Sequence, residues 1–299
     1  MMVCATNLPS DMVRRIMTET TDSPNWPAPD VSDALHVDNN FNLPVAESEL
    51  SNRVSEILGI SPEQALFLVN ESERLYSQRM IQRFSELRIA DRLKRTNPFL
   101  LQIRGALQVC DWAKFQIESA LYASEEEAVG HLLEMIAKSC FPNATIPTYP
   151  DDFDFEVRVS ANMVHGYQVK MSWDCMPMST RKNLSTTIRA VRGRFAKQGI
   201  AFDGFFAPCY GKARTTQPKG QEYISLSSKE FWEQVGGGLE DYDVKVGEVC
   251  ALLCAQSRGR LLETLVPDLL ERLTEAAMPE IGNPDGSINY AKLFRRVNR

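Results

Sequence analysis

The stretch DFDFEVRVSANMVHGYQVKMS, Asp152 to Ser172, decides how the rest of the chain is read. Two runs in it alternate apolar and polar residues, and the turn-prone SANMVHG separates them. Side chains alternate along a strand, so residues i and i+2 share a face. In the first run Phe153, Phe155, Val157 and Val159 take one face, and Asp154, Glu156 and Arg158 the other. In the second, Tyr167, Val169 and Met171 oppose Gln168, Lys170 and Ser172. Paired as a hairpin through SANMVHG, the two polar faces meet across the ladder. Oxygen atoms of Asp154 and Gln168 then approach one point, with the Lys170 ammonium beside it. Such oxygens suit Mg²⁺, which takes a few carboxylate or carbonyl ligands plus water and substrate phosphate. A lysine there orients water, helps deprotonate it or offsets developing charge. Together the parts suit metal-assisted phosphodiester hydrolysis. A solvated hairpin face has the same composition, however, and YDVK (Tyr242–Lys245) ends in the same way, so the pattern alone leaves both readings open.

Working outward, a basic helix is predicted from about Thr180 to Gln198, with Leu184, Ile188, Val191 and Phe195 at helical spacing. IAFDGFFAPCYG then forms a nearly continuous apolar run, as in a strand covered on both faces. Upstream, Ser61-Pro62-Glu63-Gln64 combines an N-cap, a first-turn proline and a capping-box Gln. The helical segment that follows carries Arg74, Arg79, Arg83, Arg88, Arg92 and Arg95, a solvated face or a contact for a nucleic-acid backbone. TNPF breaks it, another helix runs through LLQIRGALQVCDWAKFQIESALYA, and Ser124 with Glu127 predicts the start of a further helix carrying Gly130 and Glu134. From Phe231 onward the pattern is mainly helical. Helices, hairpin, helix, buried strand and helices describe a mixed α/β domain. The expected divisions are an acidic arm at 1–47, a helical subdomain at 48–122, the core at 123–260 and a helical segment at 261–299.

Composition narrows the function classes. With 43% hydrophobic and 24% charged residues, the 299-residue chain reads as an ordinary soluble protein with a full core. No apolar run reaches the roughly 18 residues of a membrane span, and the N-terminus lacks a signal-peptide pattern, so a cytosolic protein with no membrane partner is expected. Seven cysteines form no CxxC pair, and Cys250 with Cys254 reads as two core thiols on one helix face. The net charge of −6 is accounted for by residues 1–50, which carry eight acids and two bases. Residues 175–220 hold nine bases against the single acid Asp203, a segment able to meet phosphates. Three histidines and no GxSxG argue against a Ser-His-Asp hydrolase, and His165 is expected in a surface turn. Gly236–Gly238 reads as a flexible turn, and Gly211-Lys212 with Arg214 as a phosphate contact or a plain turn.

Several landmarks follow one another around the motif: TNPFLL, SEEEAVGHLLEMIAKS, DFDFEV…YQVKMS, FAPCYGKA, EFWEQVGG and DGSINYAKLF. In that order and spacing they resemble the PmeII-type family of type II restriction endonucleases, with a PD-(D/E)xK nuclease core and a helical N-terminal annex. The resemblance covers about Leu93 to Arg299. It implies a prokaryotic, cytoplasmic, Mg²⁺-dependent endonuclease that cuts both strands of duplex DNA at a short sequence, as a homodimer, with a companion DNA methyltransferase it need not touch. Asp154 takes the motif aspartate, Gln168 the acidic-or-Gln position and Lys170 the motif lysine, while Glu134 matches a supporting acid. Asp154, Gln168 and the main-chain carbonyl of Val169 would hold the metal, and Glu156 would be a supporting or alternative ligand. Arg181, Lys182, Arg189, Arg192, Lys212 and Arg214 would contact DNA. The chain departs from the pattern in the neutral Gln168 and in SWDCMP after the lysine, where relatives carry a Ser-Gly-Pro-Asn-like loop. A repair or nicking nuclease of the same fold, and a non-catalytic DNA-binding protein on a decayed scaffold, are the alternatives.

Overall fold

The computed structural model describes residues 46–149 and 153–298, so the arm expected at 1–47 lies almost wholly outside the described residues. Strands β2 (Phe155–Ser160) and β3 (Met163–Ser172) are the antiparallel pair that the alternation predicts, with Phe155 opposite Tyr167 and Val157 opposite His165. The turn is tighter than expected, because only Ala161 and Asn162 lie between them. His165 is thus not in a turn. It sits in β3, half-buried, with its ring 4.8 Å from that of Phe205. Gly166 belongs to the strand for a packing reason: a Cβ there would come within 2.6 Å of Phe202 and 3.0 Å of Phe153.

The helix after the hairpin, Met178–Ala196, carries the chain over to β4 (Ala201–Tyr210), which runs parallel to β3. Short strands complete the sheet in the order β1-β2-β3-β4-β5: β1 (Ala144–Thr145) is antiparallel to β2, and β5 (Ile224–Ser225) is parallel to β4. The crossover helix buries Leu184, Ile188, Val191 and Phe195 against Phe202 and Phe206 on one face of the sheet. Phe205, Ala207 and Cys209 point into the larger core on the opposite face, so β4 is covered on both sides, as its apolar run predicts. Phe153 and Phe155 do not share a face. The chain bends at Asp154, sending Phe153 to the crossover-helix side and Phe155 onto Tyr167 in the larger core, rings stacked at 5.0 Å.

The larger core is helical. Numbering helices along the chain, α1 (Glu47–Leu58) precedes α2 (Pro62–Ser72), whose Ser61–Gln64 capping box forms as the sequence predicts. A π-helical turn at Glu73–Gln78 leads into α3 (Arg79–Ser85), then α4 (Ile89–Lys94) and α5 (Pro98–Ile103). The predicted helix through LLQIRGALQVC is interrupted at Gly105, which adopts φ 72°. Helix α6 then runs from Val109 to Cys140 without a break. Ser124 is therefore no N-cap but a buried mid-helix residue, since Ala123 before it continues the helix readily. Glu127 pairs instead with Arg79 and Arg83, and Glu125 accepts from the Tyr76 hydroxyl and Arg258. One helix thus crosses the expected 122/123 division and joins the annex to the sheet. The crossover helix is α7, and α8 (Ser228–Val235), α9 (Tyr242–Arg260), α10 (Val266–Ile281) and α11 (Tyr290–Val297) follow. YDVK opens α9 rather than a strand, with Tyr242 buried, which removes it as a second motif. Cys254 is buried on the same helix, and burial pushes its thiol and that of Cys250 up to about 12.

Candidate active site

The ladder of β2 begins at Phe155, and Asp154 stands just before it. Its backbone N–H still donates to the Tyr167 carbonyl at 2.9 Å, while its side chain takes over where the ladder has no further main chain. Asp154 Oδ2 accepts from the Val169 backbone N–H at 2.6 Å, a charge-assisted bond that fixes the carboxylate beside β3. The N–H and C=O of one strand residue point to the same side, so the Val169 carbonyl faces the same gap. Continuing the register by one residue sets Asp154 opposite Gln168. Lys170 follows on the face of Gln168, and both are partly exposed.

Helix α6 packs against β3 on the face of Tyr167 and Val169 and supplies Glu134. Burial holds the Asp154 carboxyl above the ordinary aspartate range; Lys170, the Val169 N–H, Lys138 and His131 oppose the shift. Burial and then the charge of Asp154 push Glu134 upward, against Lys170 and Lys138. Both carboxyls are raised by burial, Glu134 also by Asp154, and Lys170 opposes both shifts; a divalent cation nearby would favour their ionised forms in the same way. Among the described residues no three His, Cys, Asp or Glu side chains converge to hold a metal. The oxygen atoms that could hold a cation here are those of Asp154 and Glu134, the Gln168 amide and the Val169 carbonyl, a mixed set of the kind a hard cation that keeps waters accepts.

Glu156 plays a different part from Asp154. It is 3% exposed, and its Oε2 accepts from the Thr148 N–H at 2.9 Å and the Thr148 hydroxyl at 2.8 Å. It ties down the segment leading into β2, while its other oxygen, Oε1, is buried with no hydrogen-bond partner among the described residues. His131 and Lys138 were not singled out from the sequence. Their spacing from Glu134, three before and four after, puts all three on one side of α6 and is the signal that finds them.

The expected DNA-contacting residues divide by location. Lys170 pairs with Pro208 and Ser172 with Tyr210, so the site, the start of α7 and the segment after β4 share one end of the sheet. Lys182 and Arg214 are exposed there, and Lys212 Nζ is 3.2 Å from the Thr216 hydroxyl. Arg181 donates to the Met176 carbonyl at 3.0 Å, shaping the loop before α7. Trp173 in that loop lies against Gly211, where a Cβ would meet its ring at 2.7 Å. Arg189 and Arg192 lie toward the other end of the sheet. Both bind Glu222, at 3.0 and 2.8 Å, and Arg192 also donates to the Phe202 carbonyl.

No helix among the described residues is long and apolar enough to cross a membrane. No curated protein matches the chain at a significant level. A family model described as type II restriction endonuclease EcoO109I does match, over residues 63–248, more than half of the chain. The matched span holds Glu134, Asp154, Gln168 and Lys170 and the whole sheet, and it bears the EcoO109I name rather than the PmeII one. The chain therefore belongs to the type II restriction endonuclease EcoO109I family, and its mixed five-stranded sheet with the motif hairpin is a PD-(D/E)xK-like core.

Proposed function

We propose that the protein is a Mg²⁺-dependent type II restriction endonuclease that hydrolyses both strands of duplex DNA at a short sequence. The observation that carries this reading is the Asp154 carboxylate clasped by the Val169 N–H, with the field of Lys170 acting on it and its own charge acting on Glu134, in a chain of this family. Asp154, Glu134, the Gln168 side-chain oxygen and the Val169 carbonyl would hold the cation. When bound, it supplies Lewis-acid polarisation of the phosphate and a lowered pKa for water.

The chain's own groups do the positioning. The 2.6 Å bond fixes the carboxylate plane of Asp154 before substrate arrives. Lys170, on the same strand face as Gln168, orients the attacking water and offsets charge as it builds on the scissile phosphate. Gln168 supplies an oxygen without a charge, so metal affinity rests on the two carboxylates. Exposed Lys182 and Arg214, with the partly exposed Lys212, supply contacts to the DNA backbone at this end of the sheet. Cutting both strands of a symmetric site requires two such centres, and a two-fold homodimer is the simplest source. A companion methyltransferase protecting the host, and the closer likeness to the PmeII type, belong to the same reading.

The test is incubation of the purified protein with unmethylated phage DNA, with and without Mg²⁺, beside Asp154→Ala. Discrete Mg²⁺-dependent fragments, absent with the variant, are the expected result. Relaxation of supercoiled DNA without fragments would favour the nicking nuclease, and metal-independent binding without cleavage would favour the non-catalytic scaffold.

A further inference from the structure

A second cationic site lies in the helical annex. A cleft of about 330 Å³ opens between α3, α4 and α6, lined by Arg83, Arg92, Arg95, Gln116, Ser119 and Ser124 among others. Arg83 is neutralised by Glu127. Among the described residues Arg92 and Arg95 have no ion-pair partner, although they lie close enough for each to act on the other. Burial, and then the neighbouring Arg95, hold the Arg92 guanidinium below its ordinary range, with Asp91 opposing. The pair is held in place from below. The Thr96 hydroxyl donates to the Arg92 carbonyl at 2.8 Å and accepts from the buried Trp112 indole at 2.9 Å, pinning the end of α4 to α6. Two guanidiniums without an ion-pair partner, carried on this anchored backbone, with the Gln116 amide and the Ser119 hydroxyl on the facing helix lining the same cleft, supply the donors that a phosphate accepts from.

The place of the cleft on α6 indicates where the phosphate comes from. Gln116 and Glu134 are five full helical turns apart and so lie on the same side of α6. Ser119, Ala123, Glu127, His131 and Lys138 stay near that line, all of them exposed or partly exposed. The carboxylate in mid-stripe, Glu127, is matched by Arg79 and Arg83, both at the surface. A solvent-facing, net cationic path therefore runs from the cleft to the candidate active site. We propose that Arg92 and Arg95 bind a phosphate oxyanion, a DNA-backbone phosphate on the flank of the cleavage site, about 27 Å from Glu134 along α6. At 3.4 Å per base-pair step that separation is about eight base pairs, outside a short recognition sequence. The inference rests on the restriction-endonuclease reading for its source of phosphate, and on the annex alone for its chemistry.

The experiment uses the full chain without divalent metal, so that nothing is cut. Binding is measured by fluorescence anisotropy on two duplexes sharing one cleavage site, with flanks of about 20 and about 4 base pairs. The variants are Arg92→Gln/Arg95→Gln and, as a guard against misfolding, the single exposed Arg95→Gln. Loss of a charge-assisted phosphate contact should weaken long-duplex binding by about 10- to 100-fold in the double variant. The salt slope should fall by about 1. Short-duplex binding, and cleavage rate at saturating DNA with Mg²⁺, should not change. In parallel, inorganic phosphate should raise the melting temperature of the wild type and not of the double variant. Lost phosphate protection with unchanged long-duplex binding would keep the anion site but overturn DNA as its source. No change in either measurement would overturn the site itself. A wild type that binds no duplex would sink the restriction reading, while the melting experiment would still decide whether the cleft holds phosphate.

Discussion

The two ends of the β3–β4 pair carry similar residues with different fates. At the end holding Ser172 and Tyr210, Asp154 and Lys170 meet Glu134, and Lys182 and Arg214 stand exposed. At the other end, Arg189 and Arg192 are joined to Glu222, whose carboxyl they hold below the ordinary glutamate range. Arg192 is also 3.8 Å from Asp203. Apart from Lys170, these cations belong to one basic stretch of sequence, yet among the described residues Arg189 and Arg192 are ion-paired while Lys182 and Arg214 are not. The pairing of a charge, more than its presence, separates the two ends.

The sharpest way to break this contrast is at the site. Lys170→Ala and Asp154→Ala should each lower the cleavage rate at least about 10³-fold while circular dichroism stays unchanged. Normal cutting by Lys170→Ala would move the active site elsewhere. Next in size, Gly204→Ala drives a Cβ into Ile188 of α7 and should destabilise the fold by about 1–3 kcal/mol in urea melts, without any specific effect on metal dependence. Lys212→Ala and Arg214→Ala should each lower the salt slope of DNA binding by about 1, whereas Arg192→Ala should leave it unchanged and lower the melting temperature by about 1–3 °C. An equal slope change from Arg192→Ala would erase the distinction between the two ends.

The smallest effect is on stability without metal. The folded-state pKa of Asp154 is raised above its ordinary 3.8, so the folded protein holds that proton more firmly than the unfolded chain. The stability associated with the protonated form is full below the unfolded value and is lost as pH rises through the folded one. Asp154→Asn removes this loss. It should melt higher than wild type at neutral pH in metal-free buffer, and the gap should close as pH falls to about 4. A gap independent of pH would mean that the strain at Asp154 is steric rather than electrostatic.

Much of this architecture was legible locally. The period-2 runs located β2 and β3, the spacing of Leu184, Ile188, Val191 and Phe195 located α7, and Ser61–Gln64 capped α2 as expected. The same alternation offered Asp154, Gln168 and Lys170 as candidate site residues, and the family resemblance gave them their roles. The errors came where a local pattern had two continuations. Ser124–Glu127 spells a helix start but sits inside α6, because its acids serve Arg79, Arg83, Tyr76 and Arg258 from elsewhere in the chain. Phe153 and Phe155 alternate in the sequence as if on one strand face, yet the bend at Asp154 sends them to separate cores.

By itself, then, the sequence determined most of the elements and their order, because periodicity and capping act between residues a few positions apart. Only the tertiary structure decided which charges are free. Arg189 meets Glu222 across 33 residues and Tyr76 meets Glu125 across 49, and such pairings depend on how whole elements pack. The bend at Asp154 belongs to the same class. It turns Phe153 and Phe155 to opposite faces because each has a separate core to fill, and in doing so it leaves the Asp154 carboxylate beside β3, where Val169 holds it.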